Sequence, residues 1–130
     1  MELIKGNRFV DERGIIRFNN EFDMTAVKRM YLIEPTTNII RAWQGHRIEN
    51  KWFVVVSGRF EVKVVGMKNY SVKKSCILSD YNDEVIKIEA GFYNGFRALE
   101  PQSKLMVYSD KSLNESLKDD YRLSLEKLGW

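Results

Sequence analysis

Trp52-Phe53-Val54-Val55-Val56-Ser57-Gly58-Arg59-Phe60-Glu61-Val62-Lys63-Val64 is the stretch on which the fold turns. Its first half is an unbroken β-branched and aromatic run, too short for an ordinary helix, and it ends at a Ser-Gly turn. Beyond the turn Phe60, Val62 and Val64 alternate with Arg59, Glu61 and Lys63, the period-2 signature of a half-buried strand. Together the halves predict a hairpin. The wholly apolar run Trp52 to Val56 further predicts a strand covered on both faces, by a second sheet or by a partner subunit.

Outward from this hairpin the chain repeats the same theme. Asp11-Glu12-Arg13-Gly14 reads as a turn into a strand over Ile15 to Phe18, and Val27 to Ile33 and Ile39 to Trp43 flank the turn-like Glu34 to Asn38. Strands are predicted at Ser75 to Leu78 and Val85 to Glu89, around the polar turn Ser79 to Glu84. Ala90 to Phe96, with its two glycines, reads as a turn, and Leu105 to Tyr108 as the last strand. Leu113 to Trp130 is a charged tail with a short helix near Ser124 to Leu128, ended by Gly129. Its Glu115 to Arg122 portion reads as a solvated surface segment. Eight to ten strands at roughly 8–12-residue spacing predict an all-β sandwich or barrel. A parallel α/β fold would need crossover helices of about ten residues or more, for which there is no room. One domain is expected, with a β core over residues 9–110 and a tail over 111–130.

The 130 residues, 44% apolar and 30% charged, suit a globular chain that buries a core without staples. A net charge of +3, spread along the chain, is a weak case for nucleic acid, and the aromatics fall in strand patterns where core packing is expected. Cys76 is alone, so no internal disulfide forms and a reducing compartment is expected. With neither a signal-like apolar region nor a run near the roughly 18 residues that span a bilayer, the expected location is the cytoplasm, off the membrane.

The densest group of chemically competent side chains is Arg41-Ala42-Trp43-Gln44-Gly45-His46-Arg47-Ile48-Glu49-Asn50-Lys51. On a strand Gln44 and His46 share a face, and Lys51 opens the next strand with Phe53 and Val55 on its own face. Gln44, His46 and Lys51 are therefore expected to project into one cavity between two sheets. Arg41 joins them only if the strand carries a bulge near Ala42. A metal is not expected. His46 is the only histidine, Glu49 is out of step for a ligand, and an ammonium repels a cation. Proton transfer beside a carbonyl fits better: His46 as base, Lys51 or Arg41 on the enolate oxygen, and Tyr93 or Tyr108 as proton donor.

Four ordered segments resemble the dTDP-4-dehydrorhamnose 3,5-epimerases and the related dTDP-keto-sugar 3,4-ketoisomerases (WxcM-like), which are cupins with a double-stranded β-helix, or jelly roll. Asp11-Glu12-Arg13-Gly14 resembles their D-E-R-G, and Arg41 to His46 their R-G-x-H and R-G-x-H-x-H. Lys51 to Gly58 resembles K-L-V-x-V-x-x-G, and Ile88 to Phe96 resembles I-P-x-G-F-x-H-G-F. The resemblance implies a homodimer, a nucleotide-sugar substrate, no metal or organic cofactor, Arg13 at the diphosphate and Lys51 in the active site. Gln44, Asn94, Tyr93 and Tyr108 would line the sugar pocket. The departures are specific. Gln44 replaces the epimerases' general-base histidine, Asn94 their second histidine, and Leu113 or Asn114 falls where their catalytic tyrosine stands. Two readings follow: a cofactor-independent epimerase or ketoisomerase of cell-surface polysaccharide synthesis, or a sugar-nucleotide-binding cupin without turnover.

Overall fold

Alternating burial marks several strands of the computed structural model, which describes residues 1–130. In chain order these are β1 Glu2–Lys5, β2 Asn7–Asp11, β3 Gly14–Phe18, β4 Arg29–Ile33, β5 Arg41–His46, β6 Lys51–Ser57 and β7 Arg59–Gly66. They continue with β8 Lys73–Ser79, β9 Glu84–Ile88, β10 Phe92–Ala98, β11 Lys104–Ser109, α1 Leu113–Leu117, β12 Tyr121–Arg122 and α2 Leu125–Leu128. Two five-stranded sheets, ordered β1-β9-β6-β11-β4 and β12-β5-β10-β7-β8, face each other, with β2-β3 as a separate ribbon. Every pairing is antiparallel. The all-β jelly roll expected from the sequence is the observed fold.

Inward-facing residues of both sheets form one apolar cluster, including Phe53, Val55, Leu105 and Val107 from the first sheet and Phe60, Val62, Leu78 and Phe96 from the second. Phe96 meets Phe53 edge-on at 5.8 Å and Phe60 at 6.2 Å, so one ring ties the sheets together. No helix is long and apolar enough to cross a membrane.

Three expectations change. The predicted hairpin is instead a corner. β6 pairs with β9 and β11, whereas β7 pairs with β8 and β10, so the chain switches sheets at Ser57-Gly58. Gly58 has φ 80°, and a Cβ there would lie 2.1 Å from Ser103 Oγ, which explains the glycine at the corner. Ala90 to Phe96 is not all turn, because β10 begins at Phe92 and runs between β5 and β7. Only Gly91 turns the chain, while Gly95 lets neighbours approach, since a Cβ there would stand 2.6 Å from Ala42 Cβ. Glu115 to Arg122 is no solvated strap. Ser116 and Asp119 are buried, and β12 adds a strand beside β5. The short helix near Ser124 appears as α2, with Ser124 as N-cap and Gly129 as C-cap.

Candidate active site

Between the sheets lies a cavity of about 430 Å³. Its polar wall consists of Tyr31 from β4, Arg41 and Gln44 from β5, Lys51 from β6, Asn94 from β10 and Arg122 from β12, over an apolar floor that includes Phe53, Phe96 and Val107. Three cationic side chains and no carboxylate face this space, so it suits an anionic ligand. β5 and β6 belong to different sheets, so Gln44 and Lys51 meet across the interior rather than along one hairpin.

The bulge required for Arg41 is present. Along β10, Asn94 pairs with Gln44 and Gly95 with Ala42, which leaves Trp43 as an extra residue on β5. Trp43 is buried on the far side, stacked 5.4 Å from Trp130 and donating its indole N–H to the Gly129 carbonyl at 2.9 Å. The alternation is reset there, and Arg41 joins Gln44 on the cavity.

Lys51 is 3% exposed and donates from Nζ to Gln44 Oε1 at 3.1 Å. The same amide donates from Nε2 to Asp120 Oδ1 at 3.1 Å, and Asp120 in turn accepts two hydrogen bonds from the Arg122 guanidinium at 2.8 and 3.1 Å. An ammonium on one side and a carboxylate on the other leave Gln44 one orientation. The Arg122 guanidinium holds the Asp120 carboxyl below the usual carboxylate range against the opposing effect of burial, with Gln44 adding to the lowering. Asn94 Nδ2 donates to the Gln44 main-chain carbonyl at 2.9 Å.

Behind Lys51 is a second, closed layer. Glu49 is 1% exposed, and its carboxylate lies 3.5 Å from Lys51 Nζ, 3.1 Å from His46 Nε2 and 3.3 Å from an Arg29 nitrogen. Asp119 accepts from the main-chain N–H groups of Arg47, Ile48 and Glu49 at 2.8, 3.0 and 2.9 Å, and so holds the loop that presents Glu49. Burial pushes the Asp119 carboxyl up, but these bonds outweigh it and leave the group below its usual range. His46 Nδ1 lies 2.5 Å from the Asp119 carbonyl, which only accepts, so Nδ1 carries the hydrogen. Burial, and then the Lys51 charge, push the imidazole below its ordinary value, against the Asp119 carbonyl, Glu49 and the Asp119 charge.

Of the residues expected from the sequence, Arg41, Gln44, Lys51 and Asn94 come together on the cavity. The others do not. His46 is 3% exposed and is not on the cavity wall, so it has no direct route to a ligand as base. Tyr93 neighbours Asn94 on β10 and therefore faces the other side, in the cluster of Trp43 and Val65. Tyr108 points out of the first sheet against Phe22, at 5.6 Å, because its neighbour Val107 points in. The Arg13 side chain is 79% exposed at the tip of the β2-β3 ribbon, and its hydrogen bonds go to Asp11. Tyr31, Arg122 and Asp119 are functional candidates that the sequence left unmarked, and Glu49 is one that it showed only as an ill-placed metal ligand. No group of three or more His, Cys, Asp or Glu side chains is placed to hold a metal.

No protein-family model and no curated protein matches the chain. Solved structures do. The rmlC epimerase of Mycobacterium tuberculosis superposes with a TM-score of 0.77 at 20% identity, over 93% of this chain and 67% of that one. The sugar 3,4-ketoisomerase QdtA of Thermoanaerobacterium thermosaccharolyticum, in complex with TDP, gives 0.76 at 18% identity, over 98% and 90%. The dTDP-6-deoxy-D-glucose-3,5-epimerase RmlC of Legionella pneumophila, in complex with dTDP-4-keto-L-rhamnose, gives 0.80 at 16%, over 98% and 76%. With its two facing antiparallel sheets and interior cavity, this chain carries the cupin jelly-roll fold of those epimerases and ketoisomerases.

Proposed function

We propose that this chain is a cofactor-independent epimerase or ketoisomerase of a nucleotide-linked keto-deoxysugar, with dTDP as the carrier, serving cell-surface polysaccharide synthesis in the cytoplasm. The observation that carries the reading is Lys51: a buried ammonium, fixed by Gln44, that faces a cation-lined cavity without a carboxylate. Removing a hydrogen beside a ketone places negative charge on the carbonyl oxygen, and a preset cation in a dry site stabilises that charge as it forms. Arg41 and Arg122 supply the positive charge that a diphosphate needs, and Gln44, Asn94 and Tyr31 supply polar edges for the sugar. The solved neighbours hold TDP or dTDP-sugars by their own descriptions, which supports the ligand class.

The working form in this reading is a homodimer. Met30, Leu32 and the ribbon residues Phe9, Val10, Ile15 and Ile16 are exposed apolar surface of the kind a second copy covers. Arg13 lies on that ribbon and meets a diphosphate only where the ribbon reaches the cavity of another copy.

Incubation with a dTDP-4-keto-6-deoxysugar in D₂O is expected to place deuterium at C3 or C5. No incorporation across a panel of nucleotide-linked keto-sugars overturns the catalytic reading. A second reading, binding without turnover, draws on Gln44 and Asn94 and on the absence of His46 from the cavity wall. Calorimetric binding without deuterium exchange would select it.

A further inference from the structure

His46 Nε2 and Glu49 Oε2 are both buried, both lack a hydrogen-bond partner, and lie 3.1 Å apart. With its hydrogen on Nδ1 toward the Asp119 carbonyl, a neutral His46 turns a bare nitrogen toward a bare carboxylate oxygen. Two acceptors in that position repel unless a proton lies between them. The nearest source is Lys51, whose Nζ stands 3.5 Å from the same carboxylate oxygen and also faces the cavity.

We propose that Glu49 and His46 form a buried proton store for Lys51, and that Lys51, relieved of one proton into this store, is the base that takes hydrogen from the sugar. The proposal rests on the epimerase or ketoisomerase reading above and deepens it: Lys51 gives up one proton to act as base and is an ammonium again, beside the enolate, once it has taken the hydrogen from carbon. In the first step an Nζ–H bond of the ammonium breaks and an O–H bond forms on Glu49 Oε2, shared with His46 Nε2. In the second, the Nζ lone pair takes the hydrogen beside the ketone, and the C–H electron pair moves onto the carbonyl oxygen as an enolate. Asn94 and Arg41, which line the same cavity, are the groups that would meet that oxygen. The hydroxyl proton on the attacked carbon then passes to the enolate oxygen, Nζ returns its proton to the former carbonyl carbon, and the store returns its proton to Nζ. This completes a ketoisomerisation with every group restored and no oxidant or other co-reactant.

The charges around the store are few. Arg29 from β4 and Lys51 from β6 share the single carboxylate of Glu49, while Asp119, after α1, is held by three main-chain N–H groups and faces His46. Arg29 also donates to Ser116 Oγ at 3.1 Å, which fixes it against α1. Moving one proton from Lys51 to the pair discharges the second cation and leaves the net charge of the cluster unchanged. The sequence marks neither role. Glu49 is out of step for a metal ligand, and His46 shares its strand face with Gln44.

Because His46 is the only histidine, its ring nitrogens are read without ambiguity in a long-range ¹H–¹⁵N spectrum of the whole protein. At pH 7 the expected pattern is a protonated Nδ1 and a bare Nε2; a neutral ring protonated on Nε2 instead overturns the store. This measurement needs no substitution, so it decides even if a variant fails to fold. In Glu49→Gln the new amide donates to Nε2 and fills the store. Deuterium exchange into a dTDP-4-keto-6-deoxysugar is expected to fall about 100-fold or more, with calorimetric affinity kept. The residual exchange should then rise with pH, because the Lys51 proton must leave to hydroxide. A merely structural role would lower the rate without changing that slope. Wild-type exchange matched by equally fast Glu49→Gln exchange overturns the store alone. Wild-type protein that binds the nucleotide sugar and exchanges nothing overturns the catalytic reading, and the store's role with it.

Discussion

Lys51 and Arg13 carry the same charge, and both fall in segments that resemble the same family, yet their surroundings have nothing in common. Lys51 is enclosed, with a carboxylate behind it, an amide beside it and a cavity in front. Arg13 stands in water at a hairpin tip, paired with a carboxylate two residues away. In water, screening and side-chain freedom leave such a surface pair contributing little. Inside, the same charge is directional, and removing its partner is costly. Position in the fold, rather than residue type, separates a working cation from a decorative one.

The contrast can be broken at its buried end first. Glu49→Ala leaves Arg29 and Lys51 without their shared carboxylate, and a destabilisation of about 3–5 kcal/mol is expected in urea unfolding. Lys51→Met keeps the volume and removes the charge. Deuterium exchange should fall roughly 10²–10³-fold, with unfolding changed far less than by Glu49→Ala. Asp119→Ala frees three main-chain N–H groups of the loop that presents Glu49, and about 1–3 kcal/mol should be lost in the same unfolding measurement.

A smaller effect follows pH. The His46 imidazole is held below its ordinary value, chiefly by burial, so the unfolded chain binds the proton first as pH falls through about 6.5. Stability from this group is therefore complete above that pH and declines as pH falls below it. Unfolding midpoints should drop as the pH is lowered from there in the wild type and stay flatter in His46→Gln. Smallest of all, Arg13→Ala should leave the stability of the chain within about 0.5 kcal/mol.

The same contrast explains what the sequence disclosed. Strand periodicity and the segment from Arg41 to Lys51 are local, so the all-β architecture, the bulge condition on Arg41 and the meeting of Gln44 with Lys51 could all be read from the chain, while the jelly roll followed from the four resembling segments. Tyr31 and Arg122 reach the cavity through pairings of β4 with β11 and of β12 with β5, and no local pattern announces those partners. β12 has only two residues, too few for a period to show. Tyr93 and Tyr108 are a different matter. Strict alternation beside Asn94 and Val107 already turned both tyrosines away from the interior. In the sequence Glu49 shows only as a carboxylate out of step for a metal, and its burial between three cationic or basic groups is visible only once β4 and the tail are in place.

Asp119 also gives the site a place in time. Its carboxylate grips main-chain groups of Arg47, Ile48 and Glu49, some 70 residues earlier in the chain. On a ribosome adding about 5–20 residues per second, β5 and β6 emerge several seconds before the segment that fastens the loop between them. Through that interval the sheets can begin to pack, but the loop carrying Glu49 has no clamp, and the β5 edge that β12 will cover is open. The layer behind Lys51 and the Arg122 part of the cavity wall are among the last parts of the molecule to take shape, and a nascent chain halted before Asp119 would have most of its core and no finished site.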